Sequence, residues 1–168
     1  MRIAGITQES FVDGPGLRVV IFAQGCDLAC PHCQNPESWQ RDGGEEYTVN
    51  ALVRTIKQIN QGKKAVRGVT FSGGEPFMQA EEFAKVAEKI KKLGWDIATY
   101  TGHTYEALLA KGDNGINALL ANTDYLIDGP YIHAQRSLDI KFRGSTNQRI
   151  IDMNATRKRG EVQLFSEE

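Results

Sequence analysis

Four short runs of the chain concentrate β-branched and aromatic residues at strand-like lengths: Leu17–Gly25 (LRVVIFAQG), Arg67–Ser72 (RGVTFS), Trp95–Tyr100 (WDIATY) and Asp124–Asp128 (DYLID). Between them the period lengthens to that of a helix. Val49, Leu52, Val53, Ile56 and Ile59 fall on one helical face, and Thr48 stands where an N-cap is needed. Phe83, Val86, Ala87 and Ile90 form the inward stripe of a second helix, with Gly94 placed to stop it. A third helical region, about Tyr105–Ala121, is broken at GDNG. Beyond Pro130 the periodicity weakens, and RIIDM and EVQLF are expected to add two short strands.

Alternating strand and helix predicts an α/β fold with a mainly parallel sheet and right-handed crossovers. Parallel strands deliver their C-terminal ends to one edge, where such proteins assemble their sites. The stretches CDLACPHC, SGGEP, YTGH and DGP each follow one predicted strand. Four distant segments are therefore expected to converge on one site.

The 168 residues fit a single domain spanning 1–168. A chain of about 150 residues buries roughly 70% of its unfolded surface, so the core needs no disulfides. A formal net charge of -1 supplies no global field for nucleic acid or an anionic membrane. No apolar run approaches the roughly 18 residues of a membrane-spanning helix. The start, MRIAGITQESF, lacks the charged and apolar halves of a secretory signal, so a cytoplasmic location is expected, where thiols stay reduced. Arg136, Lys141, Arg143 and Arg149 are read as a solvated loop face, with contact to a partner protein as the other reading. Arg157–Arg159 is too short for a nucleic-acid patch, and His103 and His133 are read as loop or cap residues.

All three cysteines lie in one loop, at Cys26, Cys30 and Cys33. Buried structural cysteines do not account for such crowding. A zinc site would have to recruit His32, but His32 adjoins Cys33 and no second ligand arm exists. A cubane iron–sulfur cluster normally takes four thiolates, so three would leave one iron open. The Cys-x3-Cys-x2-Cys spacing resembles the signature of the radical S-adenosylmethionine enzymes. That resemblance implies that Cys26, Cys30 and Cys33 hold a 4Fe-4S cluster whose open iron chelates the amino and carboxylate groups of S-adenosylmethionine. His32 occupies the position that is typically aromatic and near the adenine, and Gln34 follows Cys33 into the cosubstrate site. SGGEP resembles the GGEP motif of the same family. By that likeness Gly73, Gly74, Glu75 and Pro76 contact the methionine amino group. By analogy Tyr100 and Thr101 border the ribose, and Asp128 lies near the methionine carboxylate or a cation.

Two further stretches narrow the likeness. VDGPGLRVVIFAQGC, with Asn35 completing CxxCxN, resembles the entry segment of activases that install glycyl radicals. YLIDGPY and RGSTNQRIID resemble the activating subunits of anaerobic ribonucleotide reductases. The resemblance implies an incomplete, open β/α barrel of radical S-adenosylmethionine type. It also implies a flavodoxin-like or ferredoxin-like electron donor, and hydrogen abstraction from a glycine on the large subunit of the anaerobic ribonucleoside-triphosphate reductase. Such chemistry requires no general base, and no catalytic side chain is assigned. The alternatives are an activase for a different glycyl-radical enzyme, a small deazapurine synthase, or a zinc-stabilised binding module without catalysis. Gly74→Val is expected to leave the cluster assembled while weakening cosubstrate binding.

Overall fold

Leu17–Ala23 forms β2, an interior strand of a seven-stranded sheet, with Val19, Val20, Ile21 and Ala23 inaccessible to solvent. The structure is a computed structural model that describes residues 1–61 and 65–166. The other strands are β1 (Arg2–Ser10), β3 (Glu45–Glu46), β4 (Val66–Gly73), β5 (Asp96–Tyr100), β6 (Tyr125–Asp128) and β7 (Arg149–Asp152), in the order β3-β1-β2-β4-β5-β6-β7. The contiguous centre β2-β4-β5-β6 is parallel. The edges are not: β1 pairs antiparallel with both β2 and β3, and β7 pairs antiparallel with β6. The sheet is thus mixed and does not close, with β3 and β7 at its two ends. The expected mainly parallel arrangement describes four of the seven strands.

The helices form where the apolar period places them. In α1 (Val49–Ile59), Leu52, Val53 and Ile56 are buried, and the Thr48 hydroxyl accepts from the Ala51 amide at 3.0 Å. In α2 (Ala80–Lys91), Phe83, Val86, Ala87 and Ile90 are fully buried; the chain leaves the helix through Lys92 and turns at Gly94 (φ +86°). The third helical region is two helices, α3 (Tyr105–Lys111) and α4 (Asn114–Ala121). Only Gly112, left-handed at the C-cap, and Asp113, whose carboxylate caps the Ile116 amide, separate them.

Of the two short strands expected in the C-terminal part, one forms and one does not. RIIDM is strand only to Asp152, whose carboxylate caps a helix α5 (Met153–Arg159) that ends at left-handed Gly160. EVQLF contributes a single bridge, Leu164 to Ile151, rather than a strand. The RKR triplet closes α5, with Arg157 bonded to the carbonyls of Leu120 and Thr123. Among the described residues no helix is long and apolar enough to cross a membrane.

Side chains alternate across a strand, and here the two faces differ in kind. From β4, Val69 and Phe71 point toward the helices, where the Phe71 and Phe83 rings meet at 4.7 Å. Gly68, Thr70 and Ser72 share the opposite face, with Arg18 of β2 and Tyr100 of β5 beside them. One face therefore carries the main apolar core, and the other, which mixes Arg18, Thr70 and Ser72 with apolar Val20, Phe22 and Ala98, looks toward a cavity. Phe83→Ala should lower stability by about 3–5 kcal/mol in denaturant unfolding, because its buried ring fills the space between sheet and helices.

Candidate functional site

The β2–β4 ladder does not stop where the strands do. Gly73 is the last partner of Ala23, and beyond it the Gly74 amide donates to the Ala23 carbonyl and the Glu75 amide to the Gly25 carbonyl, both at 2.8 Å. Gly25 in turn donates to the Ser38 carbonyl at 2.6 Å, and Cys26 to that of Trp39 at 3.1 Å. The Gln24 side chain, buried beneath, ties the carbonyls of Glu37 and Gln40 to the same point. The cysteine loop is thus clamped at its root between the Gly-Gly-Glu turn and its own returning segment.

This clamp sets the need for glycine. A Cβ on Gly74 would stand 2.4 Å from the Gly25 carbonyl oxygen and 3.0 Å from that of Ser38. One on Gly73 (φ +92°) would meet the Ala23 amide nitrogen at 2.5 Å. Both approaches are to the backbone that launches the cysteines. The expectation that Gly74→Val would spare the cluster site is therefore corrected: the substitution strikes the cysteine loop first.

Within the loop the Cys33 amide donates to the Cys30 carbonyl, and Ala29 and His32 are left-handed (φ +45° and +60°). The Asn35 amide donates to Cys33 Sγ at 3.4 Å. Burial pushes the Cys26 thiol pKa up, opposed by nearby backbone amides of Leu28 and Ala29. All three cysteines are free and half-buried. They line a cavity of about 780 Å³ together with Gln34, Gly73, Gly74, Glu75, Tyr100 and Thr101. Among the described residues no three His, Cys, Asp or Glu side chains converge tightly enough to hold one metal ion. A cubane makes a different demand, since each thiolate binds its own iron.

Glu75 is buried to 1% exposure, and its carboxylate is held from three sides. Oε2 accepts from the Phe77 amide at 3.0 Å and Oε1 from the Gly102 amide at 2.8 Å, while Thr101 Oγ lies 3.0 and 3.1 Å from the two oxygens. Burial nevertheless pushes its pKa up to about 7 against those donors and the more distant Lys111 charge. The Thr101 hydroxyl can donate to the carboxylate or accept from the acid, so the pocket tolerates either protonation state. Tyr100 donates to the Phe142 carbonyl at 2.5 Å, and burial raises its phenol pKa beyond the ordinary tyrosine range.

Three expected residues stand apart from the cavity wall. His32 stacks on His133, centroids 4.1 Å apart. Pro76 is buried at the start of the 3-10 turn that leads into α2. Asp128 is buried beneath Arg149, whose Nε and Nη2 lie 3.0 and 2.5 Å from its two oxygens, and it also accepts from the Tyr105 amide. The cation beside Asp128 is thus Arg149, and its neighbour Gly129 takes the place on the cavity wall.

The far wall was not foreseen. It is the segment 136–148, folded against Gly129 by Gln148, which accepts from the amides of Gly144 and Ser145 and donates to the Gly129 carbonyl. Of the basic tract, Arg136 and Lys141 are exposed, as a solvated face requires, and with half-buried Arg143 they also line the cavity, while Arg149 pairs with Glu106 and Asp128. Exposed Phe11, Val12 and Leu138 also border it.

Residues 12–151 match the family profile described as a 4Fe-4S single cluster domain. The chain is similar to the anaerobic ribonucleoside-triphosphate reductase-activating protein of Vibrio cholerae, 33% identical over 82% of this chain and 88% of that protein. It is similar also to the pyruvate formate-lyase-activating enzyme of Clostridium pasteurianum, 38% identical over 67% of this chain, and there it spans only 49% of the relative's length. Among solved structures, QueE from Escherichia coli overlaps 61% of this chain and 52% of its own at a TM-score of 0.47 and 21% identity.

Gly74→Val should yield protein that binds markedly less iron on reconstitution, read by iron and sulfide analysis of whatever folds. Glu75 gives a pH signature in the ligand-free protein. Between its ordinary value of 4.5 and about 7 the unfolded chain has released a proton that the folded chain retains. Stability should therefore fall as pH rises through that window, by up to about 3 kcal/mol, and then level off. Unfolding titrations of wild type and Glu75→Gln should differ by this slope.

Proposed function

The chain belongs to the family of 4Fe-4S single cluster domains, and from that premise we propose that it is a radical S-adenosylmethionine activase that installs a glycyl radical on the large subunit of an anaerobic ribonucleoside-triphosphate reductase. The observation that carries this reading is the meeting of three free thiols and the Gly-Gly-Glu turn on the wall of one cavity. The match to a relative of that name over most of both chains supports the choice of partner.

The donor set fits the cluster: Cys26, Cys30 and Cys33 would hold three irons, and the adjoining cavity leaves the fourth to S-adenosylmethionine. When bound, cluster and cosubstrate would supply one-electron chemistry that removes a hydrogen atom from a glycine α-carbon of the partner. The chain's own work is to bind, orient and shield. Glu75 receives the methionine ammonium, whose charge draws the carboxyl back to its ionised form. Gly73 and Gly74 keep the turn flush with the cysteine loop. Tyr100, Thr101 and Gln34 bound the rest of the cosubstrate. His32, through its stack on His133, and Asp128, through Arg149, hold the surrounding segments 130–135 and 149–152 in place.

The open sheet supports an incomplete β/α barrel as the finer architecture, because an unclosed side admits a backbone loop of another protein. A flavodoxin-like or ferredoxin-like donor supplies the electron, and reduced thiols fit a cytoplasmic setting. Nucleic acid and membrane have no part in this reading. A second reading, activation of pyruvate formate-lyase, is favoured by the 38% identity to the Clostridium enzyme.

Mixing the reduced, cluster-loaded protein with S-adenosylmethionine and each candidate partner separates the two readings. A glycyl radical signal in electron paramagnetic resonance is expected with the reductase subunit; a signal with pyruvate formate-lyase alone would favour the second reading, and none with either would overturn both. Replacing any one of Cys26, Cys30 or Cys33 by Ala should abolish cosubstrate cleavage, measured as 5'-deoxyadenosine released, because two thiolates do not retain the cluster.

A further inference from the structure

Arg18 is fully buried, and it is the largest fully buried side chain among the described residues. An arginine there stands out, because an uncompensated charge in a sheet interior is costly. Its compensation is built into the fold. Nε donates to Thr70 Oγ1 at 2.7 Å, Nη1 to the Pro15 carbonyl at 2.8 Å, and Nη2 to the carbonyls of Val69 and Asp96 at 3.0 and 3.3 Å. Asp96 Oδ1 lies 2.6 Å from Nη1 but completes no hydrogen bond, so it serves to neutralise the charge. The niche is also cleared for the guanidinium: a Cβ on Gly68 would stand 2.6 Å from Nη2 and 2.3 Å from Asp96 Oδ1.

The same group reaches the loop Phe11–Gly16 twice. It holds the Pro15 carbonyl directly, and through Thr70, whose hydroxyl donates to the Asp13 carbonyl at 2.7 Å, it holds the middle of the loop. The loop is thereby folded over the cavity-facing side of the sheet, where a Cβ on Gly14 would be 3.4 Å from that of Ala98. Phe11, Val12 and Asp13 form its cavity side. Phe11 and Val12 are 71% and 74% exposed, so their own packing does not fix them. Ser10 Oγ closes the turn within itself, accepting from the Val12 amide at 3.3 Å and donating to the Asp13 carboxylate at 2.5 Å, and Arg18 and Thr70 tie that turn to the sheet.

We propose that Arg18, acting through Thr70, is a positioning residue for the protein segment that enters the cavity: it sets the Phe11–Asp13 wall against which that segment lies. The proposal rests on the reading that a partner's glycine enters here. Arg18 and Thr70 do not line the cavity themselves, so cluster assembly and cosubstrate binding lie outside their reach.

Replacing Arg18 by Ala would leave Asp96 unpaired and risks the fold, so the test uses Thr70→Val, which removes only the hydroxyl, and Thr70→Ser, which keeps it. In cluster-loaded protein, Thr70→Val should cleave S-adenosylmethionine without partner at the wild-type rate under dithionite. The reductase concentration for half-maximal glycyl radical formation should rise about fivefold, as one lost hydrogen bond implies, and hydrogen exchange should quicken at the amides of Val12, Asp13, Gly14 and Gly16. Thr70→Ser should restore both. An unchanged half-saturating concentration, an equal loss of partner-free cleavage, or unchanged exchange in the loop would overturn the proposal. These failures are distinct from that of the functional reading, which falls if the wild-type protein forms no radical on the reductase.

Discussion

The site depends on one contact between backbones: the turn Gly73–Glu75 lying against Ala23–Gly25 closely enough that the β2–β4 ladder continues past both strands. Two hydrogen bonds of 2.8 Å fix the turn to the root of the cysteine loop. Neither glycine has room for a side chain, because the space is filled by the other strand's main chain. Two motifs 40 or more residues apart in sequence are therefore held in one register by the same physics that pairs the strands. Wherever the cysteines bind a cluster, Glu75 stands beside it.

The sheet then divides labour between its faces. Phe71, Ile97 and Val69 join the helices in a dry core, whereas Ser72 and Tyr100 line the cavity and Thr70 lies buried on the same face behind it. Two buried ionisable residues, Arg18 behind the cavity wall and Glu75 on it, are each satisfied differently. Arg18 is surrounded by carbonyls, a hydroxyl and a carboxylate, so its charge is compensated inside the protein. Glu75 is met by amide and hydroxyl donors without an adjacent cation, which leaves its carboxyl raised to about 7. That residual deficit is what an incoming ammonium group would relieve. The first group serves architecture and the second suits a ligand.

Local patterns made the cysteines, the Gly-Gly-Glu turn and the four parallel strands legible, because spacing and period are encoded within a few residues. The antiparallel edges were not. In β1, Gly5, Thr7, Gln8 and Glu9 interrupt the apolar signal, and register shifts after Ile3 and Thr7 break the alternation. The cavity's far wall escaped notice because segment 136–148 is held by Gln148 and by backbone carbonyls, which leave no periodic trace. Motif position also does not disclose the partners of His32 and Asp128. A left-handed backbone turns the first toward His133, and Arg149, 21 residues away, claims the second. Arg18 reads in sequence as one polar residue at a strand's start; only the facing Gly68 and Thr70 disclose its burial.

The central claim is that the three thiols and the Gly-Gly-Glu turn bound one chamber in which a cluster and the methionine end of S-adenosylmethionine meet. Electron–nuclear double resonance on the reduced protein, with cosubstrate labelled at the amino nitrogen, tests this most directly. The account predicts a hyperfine coupling between that nitrogen and the cluster, lost when the methionine end is removed from the ligand. Tight binding of the labelled cosubstrate with no such coupling would contradict it.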